Sequence, residues 1–583
     1  MKYLKIDMHE LLALALILLA FLLRLFLVSQ NWPLLDSDEG TFGLMAMHIA
    51  YRGEHPIFLD GYHYMGALQS YIGAVLFLLS GGPSLFALRL GILLLVTAFL
   101  ISLYFLTRLL YSKTLALIVL ARLCFGSHYV LEYQIHSYGG YPETLLFGTL
   151  LFLFASLLAL CYRREELPLG GRRWRLAAYA GWGLVAGLGF WCDMLILPLF
   201  LMSGLVILLF CWRELLRVFP LFCIVVGLLI GMTPLIAYNL RAAPGEDSIS
   251  VLLRLRQGGA TSLHYNLEFI LQELRGTMQA GIPTITGNPF CPISEEHVVL
   301  REPTSPHTLQ CTLIHSAWSG GYLLLFGSAG VVASREAWRA WRRWRAQRGK
   351  ADEVKEPEKR RELVRSCARL CLLGSAALAI IAYTTSKASV VWPAIHARYM
   401  IALWIALPAV IWPLWRGVRR GVHGTGLPIR RDGVQSSMGS RAWGIVRRWG
   451  GPAVLVGMGV VYLTGTIMVF SELPAAHNEN RRDLALISYL ERNGITHIYT
   501  EYWTCNRLAF LSNEKIICGV VDRNLRPTHN RETRYYDIVS ADPRAAYVFP
   551  AWYRSPGLEQ NIASKSGRYQ CVVFEGFSIY LTI

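Results

Sequence analysis

Three carboxylates stand together directly after the chain's first long apolar run: Asp36, Asp38 and Glu39, in Asn31-Trp-Pro-Leu-Leu-Asp-Ser-Asp-Glu-Gly40. A second acidic segment, Glu132-Tyr-Gln-Ile-His-Ser-Tyr-Gly-Gly-Tyr-Pro-Glu-Thr144, carries Glu143, and His396 and Arg398 precede a late apolar run. A carboxylate at the edge of hydrocarbon stays ionised and can accept a proton from a hydroxyl. An Arg or His near the lipid surface, such as Arg398, His396 or His63, can hold a departing oxyanion. This chemistry suits transfer from a lipid phosphate to a hydroxyl acceptor. The competing reading of residues 36–39 is a solvated loop that caps a helix, because acidic residues favour helix starts.

The elements that position these groups must lie in a membrane. With 54% hydrophobic and 16% charged residues among 583, and a positive mean hydropathy, the chain is too apolar for a soluble protein of this length. Lys and Arg number 56 against 39 Asp and Glu, a net charge of +17. The basic residues cluster between apolar runs, where they read as topology signals and imply no nucleic-acid partner.

Eleven spans are expected: Leu11–Val28, Leu85–Leu106, Thr114–Leu131, Leu145–Tyr162, Leu176–Trp191, Leu195–Trp212, Phe219–Tyr238, Ala317–Ser334, Leu370–Thr385, Tyr399–Trp415 and Pro452–Ser471. The basic start Met1–Lys5 has no small-residue cleavage site behind its apolar run, so the N-terminus is expected in the cytoplasm. The clusters at Arg163, Arg164 and Arg172, at Arg213 and Arg217, and in 335–369 and 416–448 mark the inner side. Outer loops then fall at 30–84, 132–144, 239–316 and 386–398. Ala67–Ser80, about 14 residues, is too short to cross and reads as a re-entrant or interfacial helix. Segment 335–369, with Trp338, Trp341 and Trp344 among its basic residues, reads as a cytoplasmic amphipathic segment.

From Glu472 the composition becomes that of a soluble domain of about 110 residues, enough for a small core. The expected division is 1–471 for the membrane domain and 472–583 for an extracytoplasmic α/β domain. Its strands are expected at His497–Trp503, Lys515–Val521, Ala545–Phe549 and Tyr569–Ile583, the last a hairpin about Glu575-Gly576. Cys291 with Cys311 and Cys505 with Cys518 lie on the outer side, where disulfides form, but Cys571 is a fifth outer thiol and spacing alone does not fix the pairing.

The arrangement resembles the GT-C superfamily of polyprenyl-phosphate-dependent glycosyltransferases, and most nearly glycosyltransferase family 39, which includes protein O-mannosyltransferases and lipid A aminoarabinose transferases. The resemblance rests on Asp38-Glu39 after the first span, Tyr62-His-Tyr-Met-Gly-Ala-Leu-Gln-Ser-Tyr71, Leu88-Arg-Leu90, Gly139-Gly-Tyr-Pro-Glu143 and Arg398-Tyr399. It covers roughly the first 240 residues by motif and the rest by topology. It implies that Asp38 is the catalytic base, with Glu39 beside it and Glu143 at the second acidic position. Many relatives have Asp there, which leaves a divalent metal or acceptor positioning open at Glu143. His63-Tyr-Met-Gly66 departs from a basic residue followed by two prolines, so His63 stands where a phosphate contact is expected. Asp36, Tyr64, Tyr141, His396, Arg398 and Tyr399 complete the expected substrate contacts. The implied protein is a polytopic α-helical GT-C enzyme of the cell membrane, an inverting glycosyltransferase moving a sugar from a polyprenyl-phosphate carrier to an extracytoplasmic glycan, lipid or protein. The alternatives are a lipid-linked glycan flippase or transporter, which predicts an internal repeat that the chain lacks and mid-membrane acidic groups, or an envelope glycan-binding membrane protein.

The expected orientation is testable. A cysteine placed at Ser248 or Gly557 should react with an impermeant maleimide from outside intact cells, and one at Ala351 should not. Outside labelling at Ala351 would overturn the map.

Overall fold

Apolar runs held between polar caps become helices along most of the chain. The computed structural model describes residues 7–162, 171–257, 267–291, 305–347, 356–423, 438–564 and 569–582. Met1–Lys5, Arg163, Arg164, Ala351 and residues 424–437 of the last basic segment lie outside them. The first helices are α1 (Met8–Ser29), α2 (Ser37–Arg52), α3 (Leu68–Ser80), α4 (Leu85–Leu110), α5 (Lys113–Cys124), α6 (His128–Glu132) and α7 (Tyr141–Leu160).

Seven helices are long and apolar enough to cross a membrane: α1, α4, α7, Met194–Leu215, Pro306–Ala346, Glu358–Thr384 and Gly450–Arg492. The pair Val218–Gly231 and Thr233–Asn239, bent by 64°, makes an eighth if it acts as one span. Pro234, in the first turn of the second helix, cannot continue the hydrogen-bond ladder of the first. Three expected spans fall on other helices. Of these, α5 has only 12 residues, about 18 Å at 1.5 Å per residue. Arg172–Cys192 is long but opens on Arg172, Arg173 and Arg175, and Ala402–Val418 is apolar but short.

Two expected connectors are largely helical. Segment 239–316 contains Ser248–Gln257, Leu267–Gly276 and the short helical pieces Thr277–Gly281 and Ile282–Ile285, and a further helix starts at Pro306. Its Leu267-Glu-Phe-Ile-Leu-Gln-Glu-Leu274 stretch carries apolar residues at helical spacing inside a polar composition. Segment 335–369 is not a separate amphipathic element: its described residues end the helix Pro306–Gln347 and begin Glu356–Thr384, joined by an Arg343–Glu362 pair at 3.0 Å. Ser248 is fully buried, so the exposed Gly557 is the informative outer labelling position.

Near the C-terminus, β1 (His497–Thr500), β2 (Ile517–Val520), β3 (Ala546–Pro550), β4 (Tyr569–Phe574) and β5 (Phe577–Thr582) form one sheet in the order β2-β1-β3-β5-β4. β1 is parallel to β2 and β3, whereas β5 is antiparallel to β3 and β4. The expected hairpin turns at Glu575 and Gly576, both with positive φ (46° and 82°), the geometry of a type I′ turn. The expected strand at His497–Trp503 ends early because the Glu501 carboxylate accepts from the Trp503 N–H at 2.7 Å and starts the helix Tyr502–Leu511. Cys291–Cys311 and Cys505–Cys518 are disulfides, and Cys571 is free and exposed.

The sheet module is seated on α2. A Cβ at Gly40 would lie 2.5 Å from the Asn506 carbonyl oxygen, and one at Gly43 2.6 Å from the Phe510 ring, so only glycine permits this approach. Asn506 fastens the contact, its side-chain amide donating to Thr41 Oγ1 at 2.8 Å and its N–H to Ser37 Oγ at 3.2 Å. Phe42, Phe77, Leu508 and Phe510 share one buried apolar cluster. The helix Met438–Arg492 runs unbroken past the expected boundary at residue 471.

Candidate active site

The first turn of α2 sorts the three carboxylates. Asp36 is the N-cap, its Oδ1 accepting from the Glu39 N–H at 2.8 Å, and Asp38 and Glu39 sit favourably at the positive helix end. Successive side chains diverge by about 100°, so Asp38 and Glu39 meet different neighbours. Glu39 turns into the bundle with no exposed surface and pairs with the equally buried Arg89 of α4, Nε to Oε1 at 3.0 Å and Nη2 to Oε2 at 2.6 Å. The Ser137 N–H donates to Oε1 at 3.3 Å, and His136 Nε2 lies 3.1 Å from Oε2. Burial opposes charge on Glu39, but Arg89 and His136 outweigh it and hold the carboxyl at about 2. Burial likewise opposes charge on His136, yet Glu39 and Asp36 keep it protonated well above the ordinary imidazole range. Glu39 thus binds residues 36–39, α4 and the second acidic loop into one unit.

Asp38 turns the other way, to the sheet module. Arg531 Nη2 donates to Asp38 Oδ1 at 2.6 Å, and the Tyr502 hydroxyl donates to the same oxygen. Arg531 also donates to the Tyr502 hydroxyl from Nε (2.8 Å) and Nη2 (2.6 Å), and its guanidinium lies 4.0 Å from the centre of the Tyr62 ring. Among the described residues nothing bonds to Asp38 Oδ2.

Arg398 occupies the other side of this region. Its guanidinium faces the rings of Tyr138 and Tyr141 at 4.9 and 5.2 Å, and among the described residues it forms no ion pair. Its buried Nε has no hydrogen-bond partner. Tyr141 stacks on Tyr399 at 6.4 Å, and His396 leans on Tyr399 at 5.3 Å while its Nδ1 donates to the Val391 carbonyl at 2.7 Å. Burial lowers the His396 pKa, so the ring favours its neutral form. Tyr64 connects the two sides: it packs on Tyr62 at 5.3 Å and feels Tyr399 and Asp193 as well as Arg531. Asp193 caps the Leu195 N–H at 2.9 Å, and burial raises its pKa to about 6 against the pull of that amide and Arg398.

The structure therefore gathers Asp36, Asp38 and Glu39 at one helix start, and Tyr141, His396, Arg398 and Tyr399 in a tyrosine-lined recess, with Tyr64 between. Glu143 is buried, its Oε2 accepting from Gln69 Nε2 at 2.9 Å and its Oε1 unpartnered. His63 is engaged elsewhere, with the Tyr238 hydroxyl and with Glu246 at 3.4 Å. Among the described residues no three His, Cys, Asp or Glu side chains converge as a metal shell, and the Gln69 amide beside Glu143 is a poor substitute for one. Among the described residues, the donors around Glu143 do not fit a metal.

Sequence reading did not assign roles to Arg89, His136, Gln69, Tyr502 and Arg531. Arg89 left a trace, as a charge within an apolar run. Tyr502 and Arg531 left none, because they reach Asp38 from far along the chain.

No protein-family model and no curated protein matches the chain. Among solved structures, ArnT from Cupriavidus metallidurans bound to undecaprenyl phosphate matches with a TM-score of 0.55 at 12% identity, over 98% of both chains. Its apo state matches at 0.54 and 12% identity, over 98% of this chain and 97% of that one. The fold is that of the GT-C glycosyltransferases. A crystal structure of the Archaeoglobus fulgidus oligosaccharyltransferase in the apo form gives a TM-score of 0.46 at 13% identity, over 100% of this chain and 75% of that one. The polytopic helical architecture and the small C-terminal sheet module expected for a GT-C protein are thus both present.

The buried pair can be tested separately from any activity. Glu39→Gln leaves Arg89 without its counter-ion, which typically costs about 3–5 kcal/mol, so the melting temperature of the purified protein should drop sharply. Glu39→Leu combined with Arg89→Leu should recover most of the loss. A double variant as unstable as the sum of the singles would show that the two residues do not act as a pair.

Proposed function

We propose that the chain is an inverting glycosyltransferase that moves a sugar from a polyprenyl-phosphate carrier to a hydroxyl acceptor on the extracytoplasmic side of the cell membrane. Asp38 accepts the acceptor's proton on Oδ2 as its oxygen attacks the anomeric carbon, and the carbon–oxygen bond to the carrier phosphate breaks. The electron pair leaves with the phosphate, whose charge Arg398 receives. Asp36 and Glu39 hold the helix start, Tyr64, Tyr141 and Tyr399 line the space between base and cation, and Glu143 with Gln69 holds the Gly139 turn that leads into Tyr141. His396 stays beside Arg398 as a neutral neighbour.

The observation that carries this reading is the pairing of opposites across one tyrosine-lined region: a carboxylate with a free oxygen on one side and a guanidinium with no counter-ion on the other. An Arg without a carboxylate beside a membrane segment is costly unless an anion joins it. An apolar cavity of about 450 Å³ lies along the helix that follows Arg398, bordered by Leu403, Leu407, Val410 and Leu414 of a single helix face, by Tyr322 and Tyr462, and by the guanidinium of Arg122, whose buried Nε and Nη1 have no hydrogen-bond partner among the described residues. It contains no carboxylate and suits a hydrocarbon tail, with the chemistry at its outer end. The undecaprenyl phosphate bound to ArnT is a donor carrier of the matching class. Acidic groups at helix ends, not at mid-membrane, speak against proton-coupled transport.

Asp38→Asn keeps shape but loses basicity, so turnover of synthetic undecaprenyl-phosphoryl hexoses or pentoses should fall about 10²- to 10⁴-fold, while binding of undecaprenyl phosphate persists. Arg398→Ala should do the reverse, weakening undecaprenyl phosphate binding. An Asp38→Asn enzyme that releases carrier phosphate at the wild-type rate removes the base from this reading.

A further inference from the structure

The sheet module reaches the reaction region through two side chains far apart in sequence, and both grip one atom. Tyr502 opens the helix that Glu501 caps, which aims its ring at α2. Arg531 follows Asn530, whose side chain bonds to both the N–H and the carbonyl of Val520, at 2.7 and 3.1 Å, and so ties the segment to β2. The Arg531 side chain is 2% exposed, packed on Tyr62 and Gly61 and pointing at Asp38, whose side chain keeps 20% of its surface exposed. Arg89 engages both oxygens of Glu39, at 3.0 and 2.6 Å, and leaves neither free. Here both donors converge on Oδ1.

We propose that Arg531 and Tyr502 are positioning residues for Asp38: the C-terminal module fixes Oδ1 and turns Oδ2, the proton-accepting oxygen, toward the acceptor. The inference rests on the general-base reading of Asp38. It makes the module a component of the reaction centre, since a carboxylate free to rotate would present the correct lone pair only part of the time. The gain lies in orientation, and an acceptor hydroxyl must arrive already aligned with Oδ2.

Steady-state release of undecaprenyl phosphate from synthetic undecaprenyl-phosphoryl hexoses and pentoses tests this in the full-length protein. Arg531→Ala should lower kcat about 10- to 100-fold, as modest misplacement of a reacting group does, with the donor KM unchanged. Arg531→Lys should restore part of the rate, and added guanidinium ion should raise the rate of Arg531→Ala but not of wild type. Tyr502→Phe, which removes one oxygen, should cost only a few-fold and guards against an Arg531→Ala protein that fails to fold. In an Asp38→Asn background, Arg531→Ala should cost nothing further. Wild-type kcat in both Arg531→Ala and Tyr502→Phe, or an equal loss with and without Asp38, overturns the inference while leaving the base intact. Full activity of Asp38→Asn removes the base reading itself, and the inference with it.

Discussion

Glu39 and Arg89 form an ion pair from which water is fully excluded, and the end of the bundle that meets the sheet module is organised around it. Neither charge can be left alone: desolvating either costs several kcal/mol, and only the two-point geometry and the added contacts from Ser137 and His136 offset that cost. The pair therefore cannot slide. It pins the first turn of α2 to α4 and draws the second acidic loop against both. Once Glu39 is committed inward, helical geometry sends Asp38 to another face, toward the sheet module.

The same helix start has a third commitment. Gly40 and Gly43 lie on the face that meets the helix Tyr502–Leu511, against the Asn506 backbone and the Phe510 ring, in contacts that any side chain would block. One turn of helix thus carries a buried anchor, a half-open carboxylate and a glycine seat for the module. Rotation that improved one contact would break the other two. The resulting rigidity belongs to the whole assembly, because α4 holds Glu39 while the sheet module holds both Asp38 and the glycine face.

Much of this was legible in the sequence. Composition showed the membrane class, the carboxylates after the first apolar run showed where chemistry would sit, and Glu575-Gly576 between two apolar strands specified a hairpin. The losses have physical causes. Thr114–Leu131 reads as one apolar span, but the helix stops at Cys124 and restarts at His128, where Thr466 Oγ1 takes the Gly126 N–H. His497–Trp503 reads as a strand because its residues are β-formers, until the Glu501 carboxylate caps a helix. Polar content made 239–316 look like a loop, although amphipathic helices fill much of its described part. Tyr502 and Arg531 were beyond reach altogether, because their role is created by a contact between α2 and a module more than 400 residues later in the chain.

The guanidiniums of Arg531 and Arg398 are held by different physics, and that difference orders the region. Arg531 is neutralised by a carboxylate and aligned by a phenol, so it has little remaining affinity for another anion. Arg398 is surrounded by phenol rings, and a cation over a ring gains only about 0.5–2 kcal/mol, well short of a full counter-charge. Tyr62 and Tyr64, lying between them, keep the two cations from competing for one partner. Arg398 therefore keeps more attraction for an incoming anion than Arg531, while the Asp38 side is left with a fixed carboxylate and a free acceptor oxygen. On the proposed reading, an anionic lipid head at Arg398 directs its attached group across the tyrosines toward Asp38, whose Oδ2 takes no partner among the described residues and whose side chain keeps a surface open to a second substrate.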